Sequence, residues 1–216
     1  LYIAFSGGLD STCLLYMVSE YVKLYTSHQL TAIYIDHGLQ ADSTAWLDHC
    51  RRQAESLNVA FISRRVKVSR EKKGLESAAR EARWAVFRDI LNKNPGAVLL
   101  LGHHVDDQVE ILLLRLLRGS GISGLSSMSN TSTHAGISVC RPFLFIQKKQ
   151  LFDWAKSKSL TFVTDSSNLD NQFDRNYLRN IVIPKITDRW PSAARSIGKT
   201  IQNLQSDWHH LVVYAE

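Results

Sequence analysis

The stretch LYIAFSGGLDSTCLL, residues 1–15, decides the fold. Residues 1–5 form an apolar run that predicts a buried strand, and the apolar spacing that begins at Ser11 predicts a helix. Between them, Gly7 and Gly8 allow the backbone to curl into a concave turn that a ligand can approach closely. The amino end of the following helix adds N–H groups and a dipole that favour an anion. This stretch therefore predicts a phosphate-binding turn.

Polar side chains flank the two glycines. Ser6, Ser11 and Thr12 supply hydroxyl donors for phosphate oxygens. Asp10 is an unusual neighbour for a phosphate unless a cation bridges the two groups or the carboxylate caps the helix. A structural strand–turn–helix with Asp10 as its N-cap is therefore the alternative interpretation.

Strand and helix patterns alternate through the first half of the chain. Apolar runs that predict strands lie at 1–5, 30–35, 59–66 and 97–101, and helical periodicity lies at 11–25, 44–57, 75–91 and 108–118. Continuous apolar strands that alternate with helices are typical of a parallel sheet covered on both faces. We predict an α/β fold with a doubly wound, mostly parallel sheet. Residues 119–136, rich in Gly, Ser, Thr and Asn, predict a mobile loop.

The last third of the chain has mainly helical patterns, at 147–158, 177–183 and 193–213. We therefore expect two domains. Residues 1–145 would form a nucleotide-binding α/β domain, and residues 146–216 a helical extension that closes the catalytic domain.

Composition limits the class of protein. The 216 residues carry a formal net charge of +6, which is compatible with a polyanionic partner such as nucleic acid. The 3 cysteines lie far apart, which favours a reducing, cytoplasmic compartment and argues against a zinc knuckle or an iron–sulfur site. The longest apolar stretch, 111–117, is interrupted by Arg115, so we expect no membrane span. No starting Met or signal peptide precedes Leu1, so we expect a trimmed chain.

Two further polar segments follow predicted strands. Asp36, His37 and Gly38 come after the second strand, and GHHVDDQ, residues 102–108, comes after the fourth. Because ligands of open α/β sheets bind beyond the carboxyl ends of the strands, these loops predict one pocket with the first turn. Asp106 and Asp107 could hold Mg²⁺. In the alternative interpretation, one of these aspartates caps the next helix and one of the two adjacent histidines is a hydrogen-bonded structural residue.

Several motifs carry a family resemblance. SGGLDS, residues 6–11, resembles the signature of the PP-loop ATP pyrophosphatases, which cleave ATP between the α and β phosphates. With five further motifs in the same order, the sequence resembles that of the tRNA(Ile)-lysidine synthetase family over nearly the whole length of the chain. These motifs are AAREARW (78–84), HHVDDQVE (103–110), RGSGISGLSSM (118–128), RPFL (141–144) and DSSN…FDRNYLRNIVIP (165–184).

The resemblance implies a ligase that uses ATP and Mg²⁺. Enzymes of this family transfer AMP to the C2 oxygen of the wobble cytidine in a tRNA(Ile) anticodon, and the amine of free lysine then attacks C2 to form lysidine. Members commonly carry further carboxyl-terminal domains that grip the tRNA. A homodimer is one of the assemblies that the sequence leaves open.

The resemblance also implies roles for individual residues. Asp10 and Asp106 would hold the metal or the lysine ammonium group, and Asp107 and His104 would join them as catalytic residues. ATP would be bound by Ser6, Gly7, Gly8, Asp10, Ser11, Thr12, Asp36, His37 and Gly38. The tRNA would be bound by Arg80, Arg83, Arg118, Arg175, Asn176 and Arg179. For Arg80 and Arg83, a solvated helix face is the alternative.

Three other functions remain open at this point. A tRNA thiolase of the same superfamily would need cysteines for sulfur delivery, and here Cys13, Cys50 and Cys140 are isolated. An amidotransferase partner of the GMP- or NAD-synthetase type would use ammonia, for which the basic helical extension is not suited. From another class, the chain could be a nucleotide-binding sensor without catalysis.

Overall fold

A computed structural model describes residues 1–25, 28–37, 43–66 and 75–215 of the chain. Within them, six strands form one sheet in the order β3-β2-β1-β4-β6-β5, in which only β5 runs antiparallel to its neighbour. The strands are β1 (Tyr2–Ala4), β2 (Thr31–Asp36), β3 (Ala60–Arg65), β4 (Val98–Leu100), β5 (Thr131–His134) and β6 (Ile137–Cys140). The predicted doubly wound, mostly parallel α/β sheet is confirmed.

Helices occupy most of the remaining described chain. They are α1 (Leu9–Leu24), α2 (Ser43–Ser56), α3 (Leu75–Leu91), α4 (Val105–Leu117), α5 (Ile122–Leu125), α6 (Lys148–Ser157), α7 (Asp174–Tyr177), α8 (Ile183–Arg189) and α9 (Ala193–Ala215). A 3-10 turn lies at Ser166–Leu169, and a π-helical segment at Leu178–Val182 joins α7 to α8. None of these helices combines the length and the apolar character that crossing a bilayer requires.

The chain forms two compact units that interleave along the sequence. The first consists of residues 1–102, 131–142 and 155–163, and it contains the whole sheet. The second consists of residues 103–130, 143–154 and 164–216. The division at residue 145 stays a prediction about domains.

The first unit is organised by its parallel strands. Right-handed crossovers place α1 and α2 on one face of the sheet and α3 on the other, because the chain moves from β1 outward to β3 and then returns to β4. On the α3 face, Phe87 and Ile90 pack with Ile33, Leu99 and Val139 in a buried cluster. On α1, Leu14 and Leu15 are fully buried. These apolar contacts fix the carboxyl ends of the strands at one edge.

The second unit is helical. Its longest helix, α9, packs against α4 and α5. Gln205 of α9 donates to the carbonyl oxygens of Ser126 (2.8 Å) and Met128 (2.7 Å), and Gln108 of α4 donates to the same Met128 oxygen (2.8 Å). The buried amide of Gln108 and the partly buried amide of Gln205 therefore hold the segment between α5 and β5 in place.

The prediction of a mobile loop at 119–136 is wrong. The segment contains α5 and the whole of β5, which pairs with β6 from Thr131 opposite Cys140 to His134 opposite Ile137. The turn between the two strands has positive φ at both central residues, Ala135 (50°) and Gly136 (81°), as a tight hairpin requires. The prediction failed because β5 is an edge strand of polar residues only and is followed by an Ala–Gly turn, so the segment has the composition of a loop.

Candidate active site

The turn after β1 is built around Gly7. This residue has a φ of +77°, which side chains rarely allow, and a Cβ at its position would stand 2.7 Å from Cys50 Sγ. Gly8 has an ordinary extended backbone, with φ −74° and ψ 167°, and a Cβ there would meet nothing closer than 3.5 Å. Gly7 therefore shapes the turn, whereas Gly8 leaves its outer surface open to a ligand.

Hydroxyl groups hold the turn together. Ser11 Oγ accepts from the Ser6 N–H group (3.2 Å) and donates to the Gly8 carbonyl oxygen (3.1 Å). Ser6 Oγ lies 3.1 Å from Ser11 Oγ and accepts from the Gly8 N–H group at 3.4 Å. Thr12 Oγ1 is buried and has no hydrogen-bond partner within the described part of the chain. Ser6 is exposed, so it is the hydroxyl of this group best placed to reach a phosphate.

Asp10 is not the helix cap. Helix α1 begins at Leu9 with Gly8 as its N-cap, and no side chain caps it there, so Asp10 lies inside the first turn. The backbone of Asp10 also packs against the exit of β4, because a Cβ at Gly102 would lie 3.1 Å from the Asp10 carbonyl carbon and oxygen. Gly102 thus permits a close approach between the segment after β4 and the first turn of α1, a role that the sequence analysis did not assign to it.

Asp36 and His37, two of the predicted ATP-binding residues, lie at the end of β2. Asp36 is the last residue of the strand, and its Oδ2 lies 3.5 Å from Arg65 Nε. Burial and the positive charge of Arg83 lower the pKa of His37, so its imidazole is neutral at pH 7. Because β1 and β2 are parallel, these residues share the carboxyl edge of the sheet with Ser6. Gly38 lies outside the described residues.

The aspartates of the HHVDDQVE segment begin helix α4 in the second unit. His104 is the N-cap, and Asp107 Oδ2 accepts from its N–H group at 2.9 Å. Asp107 therefore caps helix α4 through its Oδ2 atom, as the alternative interpretation proposed. Asp106 Oδ2 accepts from the Lys148 N–H group (2.8 Å) and lies 3.4 Å from His104 Nδ1.

Both aspartates are held in the ionised form. Burial alone would raise the pKa of Asp106, but hydrogen bonds from His104 and the Lys148 N–H group outweigh it and lower that pKa. For Asp107, burial is likewise outweighed, by the positive charges of His104 and Arg175. The Asp106 side chain is 36% exposed and that of Asp107 only 9%, so Asp106 is the more accessible carboxylate.

Sequence reasoning missed Glu110, which lies one turn further along α4. Its side chain is 1% exposed and binds two guanidinium groups, Arg175 Nε at 2.6 Å and Arg179 Nε at 2.6 Å. Arg175 also binds Asp107 Oδ1 at 2.6 Å. Glu110 is the last residue of the HHVDDQVE segment. Its membership of that motif, two residues after Gln108, was the one sign in the sequence that it belongs to the site. The cluster fixes α7 and the π-helical segment on α4.

The predicted tRNA residues fall into different environments. Arg175 and Arg179 direct their guanidinium groups to Glu110, and Asn176 donates to the carbonyl oxygens of Ser167 and Asp170. Arg118 is 68% exposed and makes a 3.3 Å surface pair with Asp174, which contributes little stability. Arg80 and Arg83 are exposed on α3. A tRNA-binding role for these six residues stays a prediction.

The structure groups the predicted site residues by unit. Ser6 to Thr12, Asp36 and His37 lie at one sheet edge in the first unit, whereas His104, Asp106 and Asp107 lie together in the second. A shared metal ion between Asp10 and Asp106 therefore stays a prediction. Each carboxylate fits Mg²⁺ chemically, since this ion takes one or two protein carboxylates and completes its shell with phosphate oxygens and water.

Residues 1–186 match the family model described as a PP-loop domain. The chain belongs to the PP-loop family. The match includes the turn built by Gly7 and Gly8, the end of β2 and the start of α4. ATP is the nucleotide that this PP-loop domain binds.

Curated relatives of this PP-loop chain carry the name tRNA(Ile)-lysidine synthase. The protein of Pseudomonas putida strain KT2440 is 44% identical over 203 residues, which are 94% of this chain and 47% of the relative. The protein of Legionella pneumophila strain Lens is 38% identical over 215 residues, which are 100% of this chain and 49% of the relative. The chain thus spans about half the length of the curated relatives it matches.

A solved structure has the same fold. The U34-tRNA thiolase NcsA from Methanococcus maripaludis, determined with its [4Fe-4S] cluster, superposes with a TM-score of 0.79 and 15% identity, covering 94% of this chain and 70% of the thiolase. At that identity the likeness establishes the PP-loop fold and nothing about the reaction.

Proposed function

We propose that this PP-loop protein forms lysidine in a tRNA(Ile), using ATP and free lysine. The observation that carries the proposal is the combination of a PP-loop turn at the sheet edge with relatives named tRNA(Ile)-lysidine synthase that match 94–100% of the chain. Because those relatives are about twice as long, the activity of the whole protein is part of the proposal.

The reaction has two steps. The C2 oxygen of the wobble cytidine attacks the α-phosphorus of ATP, the bond between that phosphorus and the bridging oxygen breaks, and pyrophosphate leaves. The lysine ammonium group then loses a proton to water, the resulting amine attacks C2 and releases its second proton, and AMP leaves with the C2 oxygen. A site for this chemistry must stabilise pyrophosphate in the first step and a cationic amine before the second.

The turn after β1 meets the first requirement. The first-turn N–H groups of α1 have no side-chain cap at Gly8, and the exposed Ser6 hydroxyl stands beside them, so together they can donate to the departing phosphate oxygens. Asp10 lies in the same turn and would hold Mg²⁺, which offsets the negative charge of the phosphates when it is bound.

Asp106 meets the second requirement. Its carboxylate is ionised, partly exposed and fixed by the Lys148 N–H group, so it can accept an ammonium group without moving. Asp107 is nearly buried and already bound to Arg175, so its contribution is to orient the start of α4. We therefore propose Asp106 as the main partner of the lysine ammonium group and Asp107 as its positioning residue.

The thiolase alternative is less well supported by the cysteines. Cys13 and Cys50 are fully buried, and burial raises the pKa of both thiols to about 12, whereas Cys140 alone is partly exposed among the three cysteines. Sulfur transfer requires an accessible thiolate or a cluster held by several cysteine ligands. No group of three or more ligating side chains occurs in residues 1–25, 28–37, 43–66 and 75–215.

Pyrophosphate release tests the proposal. We expect the protein to release pyrophosphate from ATP only when a tRNA(Ile) with a wobble cytidine is present. Asp106→Asn is expected to lower the turnover of lysine at least about 100-fold, as removal of a charged contact to a reacting group does. Asp153→Asn, which removes a charge from an exposed pair with Lys149, is the matched control and should retain full activity. Release of pyrophosphate at the same rate with and without tRNA would contradict the proposal.

The proposed substrates are found together in the cytoplasm. We propose this compartment for the protein, in which free thiols such as those of Cys13, Cys50 and Cys140 stay reduced.

A further inference from the structure

Helix α3 and the β5–β6 hairpin form a cluster of cationic and aromatic side chains in the first unit. The cluster consists of Arg80 and Trp84 on α3, His134 at the end of β5, and Arg141 directly after β6, and we call it the hairpin patch. The rings of Trp84 and His134 have centroids 4.0 Å apart and planes inclined by 48°. Trp84 is anchored below by an edge contact with Phe87, whose ring lies 5.8 Å away.

The hairpin patch concentrates positive charge. Arg141 is only 8% exposed, and its Nη1 donates to Ser132 Oγ at 3.0 Å. Burial and the nearby charge of Arg80 lower the pKa of Arg141, while burial and both guanidinium groups lower that of His134. The lowered pKa favours the neutral form of the His134 imidazole. Clustered cationic side chains attract a polyanion such as the phosphate backbone of a nucleic acid.

The hairpin patch extends along the hairpin from the carboxyl edge of the sheet. β6 is parallel to β4, so Arg141 follows it at the carboxyl edge where the phosphate turn lies. β5 is antiparallel to β6 and pairs His134 with Ile137, so the backbone of His134 lies at the amino end of β6.

The charges of two arginines of α3 affect different groups. The charge of Arg83 lowers the pKa of His37, whereas that of Arg80 lowers the pKa values of His134 and Arg141. Arg83 is therefore near the end of β2, and Arg80 is near the hairpin.

We propose that the hairpin patch binds a single-stranded segment of the RNA substrate, with a phosphate at Arg80 and a base against the ring of His134. The inference rests on the proposed function, because it concerns the RNA that this site would modify. Arg141 contributes positive charge from beneath and fixes the hairpin through Ser132.

The chemistry of the patch favours single-stranded RNA. Proteins bind single strands by combining cations along the backbone with aromatic rings on which bases stack. Here His134 and Arg80 are exposed, and Trp84 supports the histidine ring from the core side. An acidic protein, as an alternative ligand, could pair with the cations of the hairpin patch but would offer no base to stack on the exposed aromatic ring.

Three variants of the protein test the patch. A fluorescent RNA hairpin with the anticodon stem and loop of tRNA(Ile) is titrated at several salt concentrations, and ATP binding is measured by calorimetry. Arg80→Ala should make the slope of log K against log[salt] less steep, by the amount that corresponds to the loss of about one phosphate contact. His134→Ala should weaken RNA binding about tenfold with little change in slope, as the loss of one stacked base does. Arg88→Ala, an exposed arginine further along α3, is the charge-matched control and should bind RNA normally.

Several outcomes decide the inference. All three variants should keep the ATP affinity and the melting temperature of the wild type, since Arg80, Arg88 and His134 are exposed. If Arg80→Ala and His134→Ala bind RNA like Arg88→Ala, the inference is overturned. If the wild type makes lysidine and those variants are unchanged, only the patch is refuted. If the wild type binds RNA through the patch but forms no lysidine, only the proposed function is refuted.

Discussion

Glu110 Oε1 lies 2.6 Å from Arg179 Nε, and the carboxylate is almost completely buried. Removing one partner from a buried ion pair costs about 3–5 kcal/mol, because the other charge stays buried without compensation. We expect Glu110→Ala to lower the free energy of unfolding by about this amount, measured by urea denaturation.

Two further variants serve as controls. Glu110→Gln keeps the shape and one acceptor oxygen, so its loss of stability should be smaller than that of Glu110→Ala. Asp153→Ala breaks the exposed pair with Lys149 and should cost at most about 1 kcal/mol. A Glu110→Ala protein as stable as Asp153→Ala would show that the cluster does not hold α7 on α4.

The two glycines of the phosphate turn should respond differently to alanine. Gly7→Ala forces a Cβ to within 2.7 Å of Cys50 Sγ at a φ of +77°, so it should destabilise the fold by about 1–3 kcal/mol. Gly8→Ala meets only ordinary contacts and should fold normally. Thermal melting of the two variants checks this pair of expectations, and equal melting temperatures would contradict it.

Gly8→Val tests ligand approach instead of folding. Since the outer surface of the turn faces the expected phosphates, the larger side chain should abolish ATP binding while the melting profile stays close to that of the wild type. Normal ATP affinity in calorimetry would remove Gly8 from the phosphate site.

Asp107 should make stability depend on acid pH. Its pKa is lowered from 3.8 in the folded protein, because the positive charges of His104 and Arg175 outweigh burial. A carboxyl with a lowered folded pKa stabilises the protein above its unfolded pKa, and this contribution is lost as the pH falls through the folded pKa. The stability difference between the wild type and Asp107→Asn should therefore be constant near neutral pH and shrink below pH 3.8. Urea titrations at neutral and acid pH measure this difference; a constant difference would exclude the linkage.

The buried thiols should be unreactive. With pKa values raised to about 12 by burial, Cys13 and Cys50 carry almost no thiolate at neutral pH. We expect iodoacetamide to label both about a hundredfold more slowly in the native protein than in urea. Cys140 is partly exposed and provides the internal comparison in peptide mass spectra. Equal native and unfolded rates for Cys50 would contradict its packing beneath Gly7.

The strand–helix order was predictable from the sequence because buried parallel strands read as continuous apolar runs. Helix α3 was predicted at its observed bounds, 75–91. Helix α4 begins earlier than predicted, at Val105 instead of Gln108, because His104 and Asp107 cap it through a backbone hydrogen bond. Such a cap depends on geometry and leaves only a weak trace in hydrophobic periodicity.

The candidate site was predictable only in part. The phosphate turn follows from local glycine chemistry, so short-range sequence was sufficient for it. The pairing of Glu110 with Arg175 and Arg179 joins residues more than sixty positions apart. The approach of Gly102 to Asp10 brings the segment after β4 against the start of α1. Contacts of this kind depend on tertiary packing, which propensity and spacing do not encode.

The most direct test of the central claim is a mass measurement on modified tRNA. The protein is incubated with ATP, isotopically labelled lysine and a tRNA(Ile) that has a wobble cytidine, and the tRNA is then digested to nucleosides. We expect a cytidine that carries one labelled lysine, formed only when ATP is present and lost when the wobble cytidine is replaced by uridine. A sulfur-containing nucleoside, or unmodified cytidine from a protein that binds both ATP and tRNA, would contradict it.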